Sequence, residues 1–208
     1  MKIFQACLLL TLTATLLIAC TNDNNNEKQM RSINDVNITG FKEYVGTYVG
    51  GNRVTKIIGK LPGGESYKEV DLSNEMIKVT YGYNGGMFSE TNISEYWFDG
   101  NGTVEKNFLF NAMLLTILVP NSERYHFTID ESSFSVSREN MVQLLSENLD
   151  HFLIEEEILK NEAMAMFLDE NKEATEKLLE QNKQSIGELV KSTEFRKQFF
   201  EKFPIKDS

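Results

Sequence analysis

"FLFNAMLLTILV", Phe108 to Val119, is the most apolar stretch of the chain beyond its first nineteen residues. It is far shorter than the ~20 residues that cross a bilayer, so it belongs to a folded core. Leu114, Ile117 and Leu118 share a face with Phe110, which predicts a buried helix. A buried strand is the alternative that periodicity alone leaves open. Pro120-Asn121 ends the run. Asn111 is the odd residue within it. A buried amide left unpaired costs about 1–3 kcal/mol, so its side chain is expected to tie the helix to a neighbouring loop.

Just upstream lies "DGNGTVE", Asp99 to Glu105, which has the look of a calcium-binding loop. An EF-hand loop takes oxygen ligands at positions 1, 3, 5, 7 and 9 and a bidentate acid at 12. Placing Asp99, Gly100, Asn101 and Gly102 at positions 3 to 6 puts Trp97 at position 1 and Phe108 at position 12. The first ligand and the bidentate acid are both missing. Asp-Gly and Asn-Gly are turn dipeptides. The stretch therefore reads as a strand-to-helix turn, with Thr103 capping the helix and Glu105 in its positive first turn.

Further out, Phe41 to Gly51 reads as an extended lead-in segment. Gly51 or Asn52 is expected to cap a short helix running through Ile58, stopped by Gly59 and Pro62. "LPGGES" is a loop by composition. Tyr67 to Leu72 and Glu75 to Tyr83 form a predicted hairpin around Ser73-Asn74. The second strand alternates Ile77, Val79, Tyr81 against Met76, Lys78, Thr80. Asn84-Gly85-Gly86 ends it, and a looser segment runs to Glu95. Arg124 to Ile129 and Phe134 to Ser137 read as two more strands around Asp130-Glu131-Ser132. From Arg138 onward no glycine occurs until Gly187 and no proline until Pro204; this part is helical by propensity. Ser185-Ile186-Gly187-Glu188 fits a capping box, which predicts a new helix there. Phe195, Phe199 and Phe203 then line one stripe. The expected fold is α+β: a small antiparallel sheet with two short helices packed on it over residues 41–145, followed by a C-terminal helical region over 146–208.

The start of the chain addresses location. Lys2, an apolar run to Ile18 and the sequence Leu17-Ile18-Ala19-Cys20 resemble the signal peptide and lipobox of bacterial lipoproteins. The resemblance implies cleavage before Cys20, with residues 1–19 removed and a diacylglyceryl group on the Cys20 sulfur. Residues 20–40 are then a lipid-anchored flexible linker, since Thr21 to Arg31 has almost nothing apolar to bury. Cys7 and Cys20 are the only cysteines, so the mature body has no disulfide and no thiol nucleophile. The formal net charge is −10, and losing Lys2 makes it more acidic still. An acidic body is repelled by nucleic acid and anionic lipid, which argues against a nucleic-acid partner.

The motifs that carry chemistry are thin. His126 and His151 have no His or Cys partner at metal-ligand spacing, so no metal and no cofactor are expected. The run Glu155-Glu156-Glu157 reads as a solvated face. No serine sits in a Gly-x-Ser-x-Gly elbow and no phosphate loop is present.

"YVGGNRVTKIIGKLP" and "NAMLLTILVPN" resemble an uncharacterised domain of lipoproteins from Gram-positive bacteria. In that family a Tyr-Val-Gly-x-Asn segment leads into a short helix closed by Leu-Pro, matched by Tyr48, Val49, Gly50, Asn52, Leu61 and Pro62. An Asn-Ala pair then begins an apolar helix that ends near an asparagine. Asn111, Ala112, Leu118, Val119 and Asn121 match it, with Phe127 in the next strand and Arg138 beyond. Thr116 departs from the pattern, occupying a usually apolar position. The similarity covers Tyr44 to Gln143. It implies a small α/β domain of unknown function and transfers no catalytic residue. In that reading Gly50 serves a backbone conformation. The functional expectation is a membrane-tethered, extracytoplasmic module that binds or senses without catalysis. Its partners are the membrane, through lipid on Cys20, and a possible protein docked on the C-terminal helices. The alternative is a cell-envelope hydrolase using acidic residues.

Overall fold

The computed structural model describes residues 29–150, 152 and 163–207. The leader, Cys20, His151 and the Glu155-Glu156-Glu157 run lie outside them. The helices are α1 (Arg53–Ile58), α2 (Glu90–Trp97), α3 (Thr103–Leu118), α4 (Arg138–Asn148), α5 (Ala163–Lys191) and α6 (Thr193–Lys202). The strands are β1 (Tyr67–Asp71), β2 (Met76–Tyr81), β3 (Arg124–Ile129), β4 (Ser132–Ser137) and β5 (Lys206–Asp207).

The apolar run is a helix, and it is the core. Every residue of α3 from Asn107 to Leu118 is buried. A helix apolar all round must be covered all round. One cover is a five-stranded sheet in the order β1-β2-β3-β4-β5. Its inner face presents Ile77, Val79, Tyr81, Tyr125, Phe127, Ile129, Phe134 and Val136, all buried. Its other face carries Lys78, Thr80, Arg124, His126 and Ser135. The α+β architecture is the one expected, and both hairpins pair antiparallel. The join between them does not: β2 and β3 run parallel, Ile77 opposite Tyr125 and Val79 opposite Phe127. A parallel pair needs a long crossover, and here α2 and α3 supply it.

The second cover comes from segments beyond the expected domain. Leu179, Asn182, Ile186 and Val190 form the buried face of α5, which packs on α3 and on the 3₁₀ helix Ile38–Tyr44. The expected helix start at Ser185 is absent because Ile186 and Val190 continue that face across it. The break comes instead at Ser192, whose hydroxyl accepts from the Phe195 amide at 3.2 Å. Of the phenylalanine stripe, Phe199 is buried in the core, while Phe195 and Phe203 are partly buried against it. The Phe199 and Phe200 rings sit 5.9 and 5.4 Å from Phe134, and β5 adds to β4. The C-terminal helices are part of one core rather than an annex to it.

The N-terminal part of the chain differs in the same way. Within the stretch expected as a flexible linker, Met30 is buried. Arg31 donates to the Gly59 carbonyl at 2.8 Å and pairs with Glu65 at 3.1 Å. The extended lead-in expected at Phe41 is instead the 3₁₀ helix, which buries Phe41 and Tyr44. The segment expected to be loose before Glu95 contains α2, capped by Ser89. Asn52 precedes α1, but its side chain caps nothing. Gly50 has an ordinary φ, and a Cβ there would meet nothing. Two glycines that the fold needs are Gly63, with φ +71° and a Cβ that would strike the Trp97 ring, and Gly64, whose Cβ would strike the Ile58 carbonyl oxygen.

Asn111 does tie α3 to a loop. Its Nδ2 donates to the Pro62 carbonyl at 3.3 Å and the Tyr81 hydroxyl at 3.0 Å. Thr116 offsets its misplaced hydroxyl by donating to the Ala112 carbonyl at 2.7 Å. The Thr116 carbonyl accepts from Arg138 at 2.6 Å.

Two outcomes are expected. Asn111→Ala should lower stability by about 2–4 kcal/mol in urea denaturation, from the orphaned Pro62 carbonyl plus the cavity; an unchanged midpoint would remove the role assigned to the amide. Truncation before Ser192 uncovers Phe134, so it should abolish cooperative unfolding and raise binding of a hydrophobic dye. A sharp transition in the truncated chain would show that α6 is dispensable.

Candidate functional site

A cleft of about 920 Å³ lies at the N-terminal pole of α3. Three separate parts of the chain meet there. Residues 29–35 form one wall. The loop from Met87 into α2 and the Asp99–Thr103 turn form the second, and Lys191, the last residue of α5, closes the third.

Each wall is held by local chemistry. Ser32 donates to Asp35 Oδ2 through its amide at 2.9 Å and its hydroxyl at 2.6 Å. These bonds hold the Asp35 carboxyl below its ordinary range. Ser89 and Asn92 cap α2 reciprocally: the Asn92 amide donates to Ser89 Oγ at 3.1 Å and the Ser89 amide to Asn92 Oδ1 at 3.2 Å. Tyr96 joins two walls. Its hydroxyl donates to the Arg31 carbonyl at 2.6 Å and accepts from Asn107 at 3.0 Å. Burial pushes its ionisation well above that of a free tyrosine.

The "DGNG" stretch reaches this cleft, as a helix-to-helix turn rather than a strand-to-helix one. Asp99 Oδ1 accepts from the Asn101 amide at 2.8 Å and Oδ2 from the Thr103 hydroxyl at 2.8 Å. Thr103 is thus the first helical residue, and Gly102, with φ +73°, is the cap position. The Asp99 carboxylate is committed to its own turn, which is the physical content of the turn reading. Burial raises its pKa, but the Asn101 and Thr103 hydrogen bonds outweigh that and leave it lowered.

Beside the turn, Arg196 is 5% exposed. Its guanidinium donates to the Val190 and Lys191 carbonyls at 2.7 and 2.9 Å, satisfying the C-terminus of α5. Its Nε lies 3.5 Å from Glu105, ion-pair range rather than a hydrogen bond. One buried cation therefore joins α5, α6 and the first turn of α3.

The other singled-out residues lie elsewhere. His126 sits on the polar face of β3, in register with Lys78 and Ser135; burial, then Lys78, lowers its pKa. Asn111 is sealed in the core. Phe195, Phe199 and Phe203 border a smaller groove of about 370 Å³ between α4 and α6. Among the described residues, no three His, Cys, Asp or Glu side chains are placed together to hold a metal ion. The cleft itself was illegible in the sequence, because its walls are sixty and ninety residues apart and none carries a recognised motif.

Residues 41–141 carry a DUF4825 domain, a domain of unknown function. No curated protein and no solved structure matches the chain. The DUF4825 segment contains α1 to α3, β1 to β4 and the first residues of α4. It supplies the Met87 and Asp99 sides of the cleft. The remaining walls, residues 29–35 and Lys191, come from outside the DUF4825 match.

Because the lowered Asp99 carboxylate stabilises the fold when ionised, its contribution is present above the unfolded pKa near 3.9 and is lost as pH falls through the lower folded value. Asp99→Ala should therefore be destabilised relative to wild type at pH 7, with the gap narrowing below about pH 4. Thermal melts across that range check it; a gap that widens in acid would contradict the assignment.

Proposed function

We propose that the chain is a lipoprotein tethered to the outer face of the cytoplasmic membrane of a Gram-positive bacterium through diacylglyceryl-Cys20. Its DUF4825 domain then serves as a non-catalytic binding or sensing module, with the cleft at the α3 pole as the ligand site. The observation that carries the reading is that residues 29–35, the first described part of the chain after the lipobox, build one wall of that cleft. No described helix is long and apolar enough to cross a membrane; the tether in this reading is the lipid on Cys20. Two acyl chains give stable anchoring where one does not.

The chemistry of the cleft favours binding over hydrolysis. A glycoside hydrolase needs a carboxyl held protonated at neutral pH as general acid. Asp35 and Asp99, the cleft carboxyls with shifted pKa values, are both shifted down. The site also offers amides (Asn34, Asn92, Asn101), two ammonium groups (Lys106, Lys191), the Glu95 carboxylate and apolar side chains including Ile33 and Phe88. Such a mixture orients a polar ligand without reacting with it.

Mass spectrometry of protein from its native host should find a chain beginning at Cys20 and carrying diacylglycerol; an unmodified sulfur or an uncut leader would end the tether reading. A photo-crosslinking residue at Asn34 should capture a cell-envelope component on intact cells, while the same residue at Ser135, on the polar sheet face, should not. Equal labelling from both positions would count against the cleft.

A further inference from the structure

The loop Gly82–Ser89 reads "GYNGGMFS" and carries no charged residue, in a chain that is 25% charged. It exposes Tyr83 by 51% and Met87 by 66%. Phe98, next to the cleft residue Asp99, is 45% exposed. These are three of the four large hydrophobic side chains that stand exposed among the described residues; the fourth is Tyr48. Met87 and Gln29 border the same cleft. Tyr48 lies at the opposite pole: the Thr47 amide donates to the Leu118 carbonyl at 3.0 Å and the Val49 amide to Asn121 Oδ1 at 2.9 Å, both at the C-terminal end of α3. Helix α3 separates the two poles by about 24 Å.

The chain before Gln29 limits how this pole can sit. Eight residues, Thr21 to Lys28, separate Cys20 from Gln29, and at 3.3–3.6 Å each they span about 30 Å at most. We infer that the Gly82–Ser89 loop and Phe98 form a membrane-resting rim that settles into the headgroup region of the bilayer and holds the cleft open toward the lipid surface. This rests on the Cys20 tether. An acidic body is kept off anionic lipid by its charge, so contact falls to the uncharged edge. Tyrosine, methionine and phenylalanine side chains are suited to that interfacial layer, where an apolar group is buried beside polar headgroups. The positive-φ glycines Gly82 and Gly85 let the loop turn sharply without bulky side chains.

The cysteine content makes the test direct. Once the leader is removed and Cys20 is acylated, the chain has no free thiol. Met87→Cys and Tyr48→Cys therefore each introduce a single labelling site for a polarity-sensitive dye. Lipidated protein is floated on phosphatidylcholine vesicles, with and without phosphatidylglycerol, that carry a shallow nitroxide quencher. The expected result is several-fold stronger quenching at position 87 than at 48. Adding Met87→Glu to a dye-labelled Tyr83→Cys chain should reduce quenching at 83 several-fold. A chain that floats but is equally quenched, or equally unquenched, at 87 and 48 overturns the rim and leaves the tether standing. A chain that does not float overturns both.

Discussion

Helix α3 has no face that tolerates water. Twelve consecutive residues, Asn107 to Leu118, are buried, and this one constraint accounts for most of the molecule. A single sheet covers one side of a helix. The rest of its circumference needs other elements, and the chain recruits them from both ends of its sequence: Met30 and the Ile38–Tyr44 segment on one flank, Leu179, Ile186 and Val190 of α5 on another, Phe199 of α6 over the sheet edge at Phe134. A body ending near residue 145 would leave that surface exposed. The nature of the helix was readable from its composition. Its consequence, that the glutamate- and lysine-rich region after Arg138 cannot be a free annex, follows from the same twelve residues and requires asking what covers the far side.

Burying so much apolar surface fixes compactness but not register, since one methyl contact resembles another. The register is held by a few polar groups inside. Asn111 joins α3 to the Pro62 carbonyl and to Tyr81. Asn182 joins α5 to the chain beyond α4, accepting from the Asp150 amide and donating to its carbonyl at 3.0 Å each. Arg138 binds the Thr116 carbonyl, and Arg196 binds the last carbonyls of α5. Each would be costly if displaced by a turn of helix, because a buried donor would lose its acceptor. Polar residues in this core therefore select among packings that apolar contacts alone would leave similar in energy.

The same distinction explains what the sequence disclosed. Strands β2 to β4 were legible because their period of two survives in a sheet with one buried face. Helix α2 was not, since Glu90–Trp97 offers only Ile93 and Trp97 to the core and its clearest signal was the Ser89–Asn92 cap. The parallel pairing of β2 and β3 has no local signature, because it is decided by the two-helix crossover. The Ser185–Glu188 motif misled for the converse reason: a local capping pattern loses to an apolar stripe that continues through it. Asn111 was found because an amide in an apolar run is anomalous on its face. Asn182 and Arg196 hid in a region where polar residues are the rule.

The site inherits its character from the pole where it lies. The first turn of a long helix is electropositive and attracts anions. Here that potential is already answered. Asp99 closes the preceding turn with its own carboxylate, Glu105 stands in the first turn, and Arg196 sits against Glu105 at 3.5 Å. The helix terminus itself is left with little charge to grip an anion, so charge recognition at this pole falls to Lys106 and Lys191. The groups that remain around the cleft are amides, lysines, the Glu95 carboxylate and an aromatic hydroxyl already bonded on both sides. Recognition there combines hydrogen-bond geometry and shape with the charges of Lys106, Lys191 and Glu95. That geometry exists only while residues 29–35 stay clamped by Tyr96 and Arg31, so the part of the chain leading back toward Cys20 is also the part that sets the shape of the site.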